Sequence, residues 1–526
     1  MRVLFLLFAL LAVSGCTGSP EVAVAASMAA VPSGRIYNPG FAGSLDYEAF
    51  PWNTPPVITA THFYDFANFM EDDAGWNLVN QNWGSRGVHP LNARWSGDPA
   101  VVAAAGGTGG IVALRSLGNY AADPAVRRQG ASLISRTAFG AGKFEVRMKV
   151  VPRFGPCTAA WTFFSNHATT GAAIEYSEID IEAPGQGGGF TQWGGVSYEA
   201  FFADSESVPP GATVNRSRSV AADVGYAYND GRWHVFAFEW RTNEATGDVG
   251  VVWFHNGRIV GHTAAHVPVH TAQFWVGNWF PGTYPMQLPA QQWVNDWLGE
   301  ANFDEAWMFV DWVRVTQYDD PTVYRPANLG GTVFPPLTAD LGAAPLPRNN
   351  YVTNGRFTGT DTDGTGLTGW DLENAGITEA GVRIHGGGRM RQHISAQYGG
   401  FTFDLELGAR PAGLTGEVRA FVEFWNYDYP RHFRGPARDG LNDGAVVEYG
   451  SNSTARLSPL GRRPAGRSQT LTLRGGRQST GSLRFTVPEG AGINNLYLVI
   501  EAGGRGGIVT EAAMFLVSEP VFRGEK

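Results

Sequence analysis

The chain of 526 residues contains only two cysteines, Cys16 and Cys157, and only three lysines. Two cysteines cannot supply a disulfide framework, so we expect the fold to rest on packing. Charged residues make up 17% of the chain, which excludes a highly charged disordered protein or a coiled coil. The net charge of −9 makes the phosphate backbone of a nucleic acid an unfavourable partner, so we expect no nucleic-acid binding.

Long apolar runs are also missing, with one short exception at the N-terminus. Residues 3–13 are apolar and follow Arg2, a length that suits a signal-peptide core and is too short for a membrane-spanning helix. The run ends in Val13-Ser14-Gly15-Cys16, which resembles the lipobox of bacterial lipoproteins and implies cleavage before Cys16 and lipid attachment to its sulfur. An ordinary secretory signal is the alternative. We therefore expect an exported protein, anchored to the bacterial cell envelope through lipid or secreted, with a flexible tether over 16–50.

Glycine and proline are abundant, with 69 and 31 residues, and so are aromatic residues, with 17 Trp, 17 Tyr and 32 Phe. Frequent glycine and proline indicate many short strands joined by turns rather than long helices. Aromatic side chains fill cores, and tryptophan also stacks on the apolar faces of sugar rings. The composition therefore favours an all-β protein and suits sugar binding.

Apolar and polar residues alternate along several segments of the range 51–318. In 143–150 the apolar side chains fall on one face and the charged ones on the other, as in a half-buried strand. Segments 233–240 and 251–255 have the same period, and turn residues such as Asn256-Gly257 follow them. This pattern predicts an antiparallel β-sandwich over 51–318.

The rest of the chain divides into two parts. Residues 319–349 are rich in proline and have no periodic pattern, which predicts an interdomain linker. Residues 350–526 contain further alternating segments and predict a second, C-terminal β-sandwich. The net charge is negative before this second block and slightly positive within it, which supports a domain boundary.

Three acidic residues, Glu178, Asp180 and Glu182, alternate with apolar residues. On a strand this spacing places three carboxylates on one face. No lysine or arginine occurs between Phe154 and Arg216, so nearby sequence does not balance their charge. Like charges this close cannot all stay ionised, and we expect a raised pKa for at least one of the carboxyl groups. An acid kept protonated beside one kept ionised is the arrangement that glycoside hydrolysis needs.

The spacing of the two glutamates is compatible with catalysis but does not require it. Residues four apart on an extended strand have Cα atoms ~13 Å apart, at about 3.3 Å per residue. Side chains that lean together over a concave, twisted sheet can bring the carboxyl groups to roughly 5–7 Å, near the ~5–5.5 Å of a retaining double displacement. A calcium-binding strand or a solvated acidic strand would show the same pattern.

The segment Glu178-Ile179-Asp180-Ile181-Glu182 resembles the ExDxE motif of glycoside hydrolase family 16. Other segments resemble the same family, in the expected order across about residues 55–318, and these are 136–149, Trp161, Trp233-His234, 238–240, Asn278-Trp279 and 311–315. The resemblance implies a concanavalin-like β-jelly-roll sandwich with a concave cleft and a retaining mechanism on internal β-glycosidic bonds. It also implies that Glu178 is the nucleophile and Glu182 the general acid/base, with Asp180 hydrogen-bonding to one of them and tuning its ionisation.

Several aromatic and polar residues are candidates for substrate binding. Candidate stacking platforms are Trp161, Trp193, Trp275, Trp279 and Trp293, each of which could equally belong to the core. Trp161 and Trp279 gain support from their matching family positions. Asn278 and His234 are candidate hydrogen-bonding partners for substrate hydroxyl groups, although a single histidine on a strand is more often structural.

The resemblance implies no required cofactor. Some family members bind a structural calcium ion on the outer face of the sandwich, and Asp311 is the candidate ligand here. The sequence has no clustered loop of oxygen ligands around it. No His/Cys cluster has the spacing of a zinc site.

Residues 350–370 resemble the opening strand of carbohydrate-binding jelly-roll modules, so we expect the C-terminal domain to bind glycan. Trp425, Tyr427 and Tyr429 alternate on one face, which suits either a glycan platform or a core. The arginines between residues 456 and 484 suit sulfate or carboxylate groups, or form an ordinary solvated surface.

The leading prediction is a retaining endo-β-glycosidase whose partner is a polysaccharide, most simply a β-1,3 or mixed-linkage β-glucan. One alternative is an endo-hydrolase of red-algal galactan such as agar, porphyran or carrageenan, for which the arginines would contact sulfate. Another is a transglycosylase, in which a sugar hydroxyl replaces water. A non-catalytic lectin is the alternative from a different class, and the intact acidic trio argues against it.

Overall fold

The computed structural model describes residues 45–517, with gaps. The ranges outside the description within this span are 71–74, 82–85, 154, 166–175, 185–196, 204–215, 219–227, 229–230, 265–266, 281–300, 302, 326–331, 335–338, 359–365, 368, 395–400, 427–463, 465 and 489–492. The predicted signal peptide, Cys16 and most of the predicted tether therefore lie outside the described residues. Among the described residues, no helix combines the length and the apolar character needed to cross a membrane.

The described residues form an all-β chain. Its strands, in chain order, are β1 (Ile58–Tyr64), β2 (Trp76–Asn80), β3 (Ala93–Ser96), β4 (Ile111–Leu117), β5 (Ala131–Phe139), β6 (Gly142–Lys149), β7 (Cys157–Ser165), β8 (Tyr176–Pro184), β9 (Ser197–Ala203), β10 (Arg216–Arg218), β11 (His234–Asn243), β12 (Asp248–His255), β13 (Arg258–Thr263), β14 (Ala272–Trp279), β15 (Glu305–Tyr318), β16 (Thr332–Phe334), β17 (Ala339–Asp340), β18 (Asp371–Thr378), β19 (Gly381–Ile394), β20 (Thr402–Pro411), β21 (Glu417–Asn426), β22 (Gly466–Arg467), β23 (Leu471–Arg474), β24 (Ser479–Thr486), β25 (Ile493–Gly503) and β26 (Gly507–Leu516). The helices are α1 (Pro99–Ala104) and two 3-10 turns, Pro90–Asn92 and Pro124–Val126. Asp98 caps α1 by accepting hydrogen bonds from the backbone nitrogens of Ala100 and Val101.

Two sheets face each other in the first domain. Sheet I has the order β13-β12-β11-β6-β15-β4-β3-β17, with β1 paired to β15, and sheet II has the order β10-β9-β8-β7-β14-β5-β2-β16. Between them lies one core, in which Phe144 of sheet I stacks on Phe238 and meets the edge of Phe274 from sheet II, with ring centroids 4.7 and 5.2 Å apart. This is the predicted jelly-roll sandwich, and the predicted strands of 51–318 are confirmed.

The predicted turn at Asn256-Gly257 is also present, as a two-residue connection between β12 and β13. Asn256 and Gly257 both have positive φ, 50° and 83°, which a turn of the primed type requires and which asparagine and glycine adopt at the lowest cost. Local sequence chemistry therefore specifies this turn, whereas the pairing of β12 with β13 shifts register between Trp253 and Phe254.

The proline-rich segment 319–349 differs from the prediction of a free linker. Its residues form β16, which pairs with β2 at the edge of sheet II, and β17, which pairs with β3 at the edge of sheet I. Both additions cover strand edges that would otherwise present unpaired backbone groups. Very short edge strands tolerate neighbouring prolines. The segment therefore keeps the proline-rich composition of a linker although two of its parts pair with the sandwich.

The end of the predicted tether, from residue 45 onward, is docked on the first domain. The hydroxyl group of Tyr47 donates to Glu145 Oε1 at 2.6 Å. The backbone nitrogen of Glu48 donates to the carbonyl oxygen of Gly257 at 2.8 Å, and the carboxylate of Glu48 accepts from the backbone nitrogen of Ile259 at 2.9 Å. The sandwich therefore begins before residue 51.

The second domain is a single hydrogen-bonded sheet that curls around its own core. Its order is β22-β21-β25-β19-β26-β20-β24, with β18 on β19 and β23 on β21. Strand β19 pairs with β26 through its first residues and with β25 through its last. Gly387, with φ +78°, separates these two parts, and Phe424 and Phe485 approach to 6.2 Å across the closed core. The two predicted layers are therefore present, but they are continuous through β19.

A buried ion pair lies on the outer face of sheet I. Arg147 of β6 donates to the carboxylate of Asp311, which sits at a bulge in β15, and both side chains are almost fully inaccessible. Asp311 also accepts from the backbone nitrogen of Thr108 at 2.7 Å. Burial raises the pKa of Asp311, and the guanidinium of Arg147 and the bonds from Thr108 oppose that shift. A buried charge that loses its partner is strongly destabilising.

Replacing Asp311 with asparagine should lower the free energy of unfolding by about 3–5 kcal/mol, because Arg147 keeps a buried charge without a counter-ion. Urea unfolding followed by circular dichroism measures this loss. Glu305→Gln is the matched control, since Glu305 pairs with Arg115 at 3.3 Å with both side chains partly exposed, and should cost less than about 1 kcal/mol. Equal losses in the two variants would contradict the assignment.

Candidate functional site

The acidic residues lie on β8, in the interior of sheet II between β7 and β9. Ile179, Ile181 and Ala183 point into the core between the sheets. Glu178 and Asp180, each 8% exposed, and the more exposed Glu182 belong to the opposite face, because successive side chains of a strand alternate. The alternation predicted from the sequence is therefore present in the structure.

Neighbouring strands extend this face into three rows of side chains. Directly opposite residues in antiparallel strands share a face, and the register defines the rows. They are Gln273, Phe163 and Glu178 in the first row, Trp275, Trp161 and Asp180 in the second, and Gly277, Ala159 and Glu182 in the third. We call this surface of β14, β7 and β8 the cleft face.

The cleft face carries an aromatic shelf formed by Trp161, Phe163 and Trp275. The rings of Trp161 and Trp275 stack with centroids 5.5 Å apart and an interplanar angle of 20°, and Phe163 meets the edge of Trp275 at 6.4 Å. Trp279 packs against the same cluster at the end of β14. The shelf therefore lies beside the carboxylates, with Trp161 and Trp275 buried at 8% and 3% exposure and with Phe163 and Trp279 half-buried, so a sugar ring would meet the latter two most readily.

The three carboxylates have different surroundings. Glu178 and Asp180 have large neighbours in their rows, Phe163 and Trp161, whereas the neighbours of Glu182 on that side are Ala159 and Gly277. The small residues leave room beside Glu182, and its side chain is the most exposed of the three. The site is thus asymmetric along β8.

Reasoning from the sequence did not identify two further residues of the cleft face. Phe163 follows Trp161 by two positions, so the period of β7 could have indicated it. Gln273 is 1% exposed, and its amide nitrogen donates to the carbonyl oxygen of Ser135 at 2.7 Å, while its Oε1 has no hydrogen-bond partner in the described part of the chain. The pairing of Asp180 with Glu199 on β9 was also missed, because register across strands is not visible in local sequence.

Asn278 does not lie on the cleft face, contrary to its prediction as a substrate-binding residue. Its side chain is fully buried between the sheets, where Oδ1 accepts from the hydroxyl group of Ser116 at 2.6 Å and Nδ2 donates to the carbonyl oxygen of Leu114 at 3.2 Å. Asn278 therefore ties sheet II to β4 of sheet I.

His234 is likewise fully buried, so its predicted contact with substrate is wrong in this structure. The side chain of Asn256 accepts from the backbone nitrogen of Val235 at 2.8 Å, which leaves its amide nitrogen to donate to Nδ1 of His234 at 3.1 Å. Nδ1 of His234 also lies 3.2 Å from Nε2 of His255. His234 belongs to a buried polar cluster that anchors the turn after β12.

The residues around Asp311 do not fit a calcium ion. Its carboxylate is already taken by Arg147 and Thr108, and a positive guanidinium in the site disfavours a cation. Among the residues that the structure describes, no group of three or more His, Cys, Asp or Glu side chains is arranged to hold a metal ion.

The predictions for Cys16, Trp193 and Trp293 fall outside the described residues.

Burial lowers the pKa of His255 well below its ordinary value, and the neighbouring His234 adds to this shift. A histidine that stays neutral in the folded state binds fewer protons than in the unfolded state below pH ~6.5, so stability falls as the pH decreases. Each pH unit below this value should cost about 1.4 kcal/mol while His255 remains neutral. His255→Gln should flatten the acid side of the stability profile, measured by urea unfolding between pH 5 and 8. Parallel profiles for the variant and the parent protein would contradict this.

No protein-family model matches the chain, and no curated protein matches it either. Among solved structures, the chain is similar to a β-1,3-1,4-glucanase (lichenase) from a mouse hindgut metagenome, with 19% identity over 50% of this chain and 98% of that chain and a TM-score of 0.33. It is similar to the β-glucanase of Bacillus licheniformis, with 16% identity over 49% of this chain and 99% of that chain and a TM-score of 0.33. It is also similar to a κ-carrageenase of Zobellia galactanivorans, with 15% identity over 53% of this chain and all of that chain and a TM-score of 0.32.

Proposed function

We propose that this protein is a retaining endo-β-glycosidase that hydrolyses internal linkages of a polysaccharide, a β-1,3 or mixed-linkage β-glucan in the first instance. The observation that carries the proposal is the cleft face, on which three carboxylates share one side of β8 and adjoin an aromatic shelf. A pair of carboxylates with different surroundings is what a double displacement requires. The resemblance of 178–182 to the ExDxE motif supports the same reaction.

In the proposed reaction, a carboxylate oxygen of Glu178 attacks the anomeric carbon while the carboxyl group of Glu182 donates its proton to the glycosidic oxygen. The bond to the leaving sugar breaks, and a covalent glycosyl ester forms on Glu178. Glu182, now ionised, removes a proton from water, which attacks the anomeric carbon and releases Glu178. Asp180 lies between them and tunes ionisation. The greater exposure of Glu182 and its small neighbours suit the residue that must meet both the leaving group and water.

Polysaccharide binding is proposed for the aromatic side of the cleft face. Sugar rings present C–H faces that stack on aromatic rings, and Trp161 and Trp279 are the candidates among the described residues. No cofactor is needed for this chemistry, since both proton transfers and the nucleophilic step use carboxyl groups.

An endo-hydrolase of red-algal galactan is a second candidate, favoured by the same carboxylates. Its use of arginine to bind sulfate receives less support. Arg474 pairs with Glu417 at 2.9 Å, and Arg484 forms a two-bond contact with Asp404 at 2.7 and 2.8 Å. Arginines whose charge is balanced by protein carboxylates have less attraction for sulfate. A transglycosylase uses the same first step and differs only in the acceptor.

We also propose that the second domain binds glycan and that Cys16 carries a lipid that holds the exported protein at the cell envelope. On β21 and β25, Phe421, Tyr497 and Val499 form a cluster, with Arg391 over the ring of Tyr497 at 3.7 Å. Phe421 and Tyr497 are only 5% and 6% exposed, so in this proposal the guanidinium group of Arg391, which covers Tyr497, makes the contact with glycan. The side chains of Trp425, Tyr427 and Tyr429 lie outside the described residues.

Glu178→Gln and Glu182→Gln should each lower kcat by at least about 10³-fold, because each removes one of the two reacting carboxyl groups while preserving shape. Rates on a cleaved polysaccharide, measured by reducing-end release, provide the test. Glu406→Gln, an exposed acid of the second domain that pairs with Arg348 at 3.4 Å, is the control and should retain full activity. Near-normal activity of Glu178→Gln on every cleaved substrate would contradict the assignment.

Incubation with laminarin, lichenan, agarose, porphyran and carrageenan should give internal cleavage of at least one polymer, with laminarin or lichenan expected first. Proton NMR of the first product should show the β-anomer at the new reducing end, because two inversions retain configuration. Larger saccharides than the substrate would identify transglycosylation. Binding without cleavage of any polymer would favour the lectin and overturn the proposal.

A further inference from the structure

A tryptophan from the opposite sheet holds the backbone of the acidic strand. Trp253 lies on β12 of sheet I and is fully buried in the core between the sheets. Its indole nitrogen donates to the main-chain carbonyl oxygen of Asp180 on β8 at 3.0 Å. Because a carbonyl oxygen can accept two hydrogen bonds, the indole can bind this peptide in addition to its sheet partners.

The indole of Trp253 is itself firmly placed. Phe238 of β11 is its partner on one side and Gly261 of β13 on the other. A Cβ added at Gly261 would lie 4.0 Å from the indole ring of Trp253. The ring therefore lies close to the backbone of Gly261. Tryptophan has only two side-chain torsions, and a fully buried, close-packed ring keeps one position.

The bonded peptide occupies the middle of the acidic trio. Glu178 precedes Asp180 by two residues and Glu182 follows it by two, so a displacement of the peptide at 180 moves both glutamates relative to the cleft. Strand β8 lies between β7 and β9 in sheet II, and β12 lies between β11 and the edge strand β13 in sheet I. The bond from Trp253 therefore adds a link between sheet I and the acidic strand at this peptide.

We propose that Trp253 is a positioning residue, which sets the place of Glu178 and Glu182 through its hydrogen bond to the backbone of Asp180. The catalytic consequence rests on the proposed glycosidase function, whereas the effect on the strand does not. In this proposal the indole contacts neither substrate nor reacting atoms. It acts by limiting motion of β8, whose carboxylates must hold their separation for a double displacement.

Trp253→Phe tests the proposal, because phenylalanine keeps an aromatic ring and loses the donor. The matched control is Trp240→Phe. Trp240 is also fully buried in the same core, lies on the adjacent strand β11, and donates to the carbonyl oxygen of Pro268 at 2.8 Å instead of to β8. Both variants remove one buried indole and one hydrogen bond, so their general losses of stability should be similar.

Two measurements on the full chain separate positioning from stability. Hydrogen–deuterium exchange of peptides covering 176–184 should become at least about tenfold faster in Trp253→Phe than in Trp240→Phe, since only the first frees the acidic strand to open locally. On a cleaved polysaccharide, kcat of Trp253→Phe should fall about 10- to 100-fold with little change in KM, because small misplacements of reacting groups have effects of this size. Its kcat–pH profile should shift as well, because the environment of the carboxyl pair changes.

If hydrogen–deuterium exchange in 176–184 is the same in Trp253→Phe as in Trp240→Phe, the proposal is overturned. It is also overturned if exchange is faster in Trp253→Phe but its kcat and kcat–pH profile match those of Trp240→Phe. If Trp253→Phe does not fold, β-(3-benzothienyl)alanine at position 253 replaces only the indole N–H with sulfur, and the same outcomes apply. If the parent protein cleaves no polysaccharide, the proposed function fails. The exchange measurement then still supports or rejects the bond from Trp253 as the restraint on β8.

Discussion

The first domain depends on burial of apolar surface between two sheets. Because strand side chains alternate with a period of two, a strand with apolar side chains in this core carries its remaining side chains on the opposite face. On β8 the apolar residues Ile179 and Ile181 enter the core, and the same alternation places Glu178, Asp180 and Glu182 together on the outside. The acids are aligned because their neighbours are buried, so the position of the site follows directly from the packing of the sandwich.

Polar groups inside the sandwich then connect the two sheets at defined points. Asn278 of sheet II bonds to Ser116 and Leu114 of sheet I, and Trp253 of sheet I bonds to the backbone of Asp180. Apolar packing is non-directional and does not by itself fix the offset of one sheet on another. Hydrogen bonds have preferred distances and angles, and an unpaired polar group in the core is costly. Such bonds therefore restrict how far the cleft face can shift relative to the sheet behind it.

The sequence predicted those parts of the fold that depend on local chemistry. The alternation along β8 and the Asn256-Gly257 turn are short-range patterns, and both are present. The error at Asn278 had a local signal too, since adjacent residues of a strand point to opposite faces and Asn278 and Trp279 could not both face the cleft. The rows of the cleft face and the contact between Trp253 and Asp180 depend on register between distant strands, which local periodicity does not contain. The edge strands β16 and β17 have too few residues to show a period at all.

Concentrating three carboxylates on one strand has a consequence for stability. Like charges repel, and the stretch from Phe154 to Arg216 has no lysine or arginine between its ends to offset them. A solvated surface would normally mix the signs, as the outer face of the second domain does, where Arg474 and Arg484 meet Glu417 and Asp404. In its local sequence, the acidic strand therefore departs from this mixing of signs. Such local departures characterise functional sites, where a strained or repulsive arrangement is maintained by the surrounding structure. On β8 that support comes from the apolar face of the same strand and from sheet I behind it, so the residues that stabilise the site are the apolar core residues rather than the acids themselves.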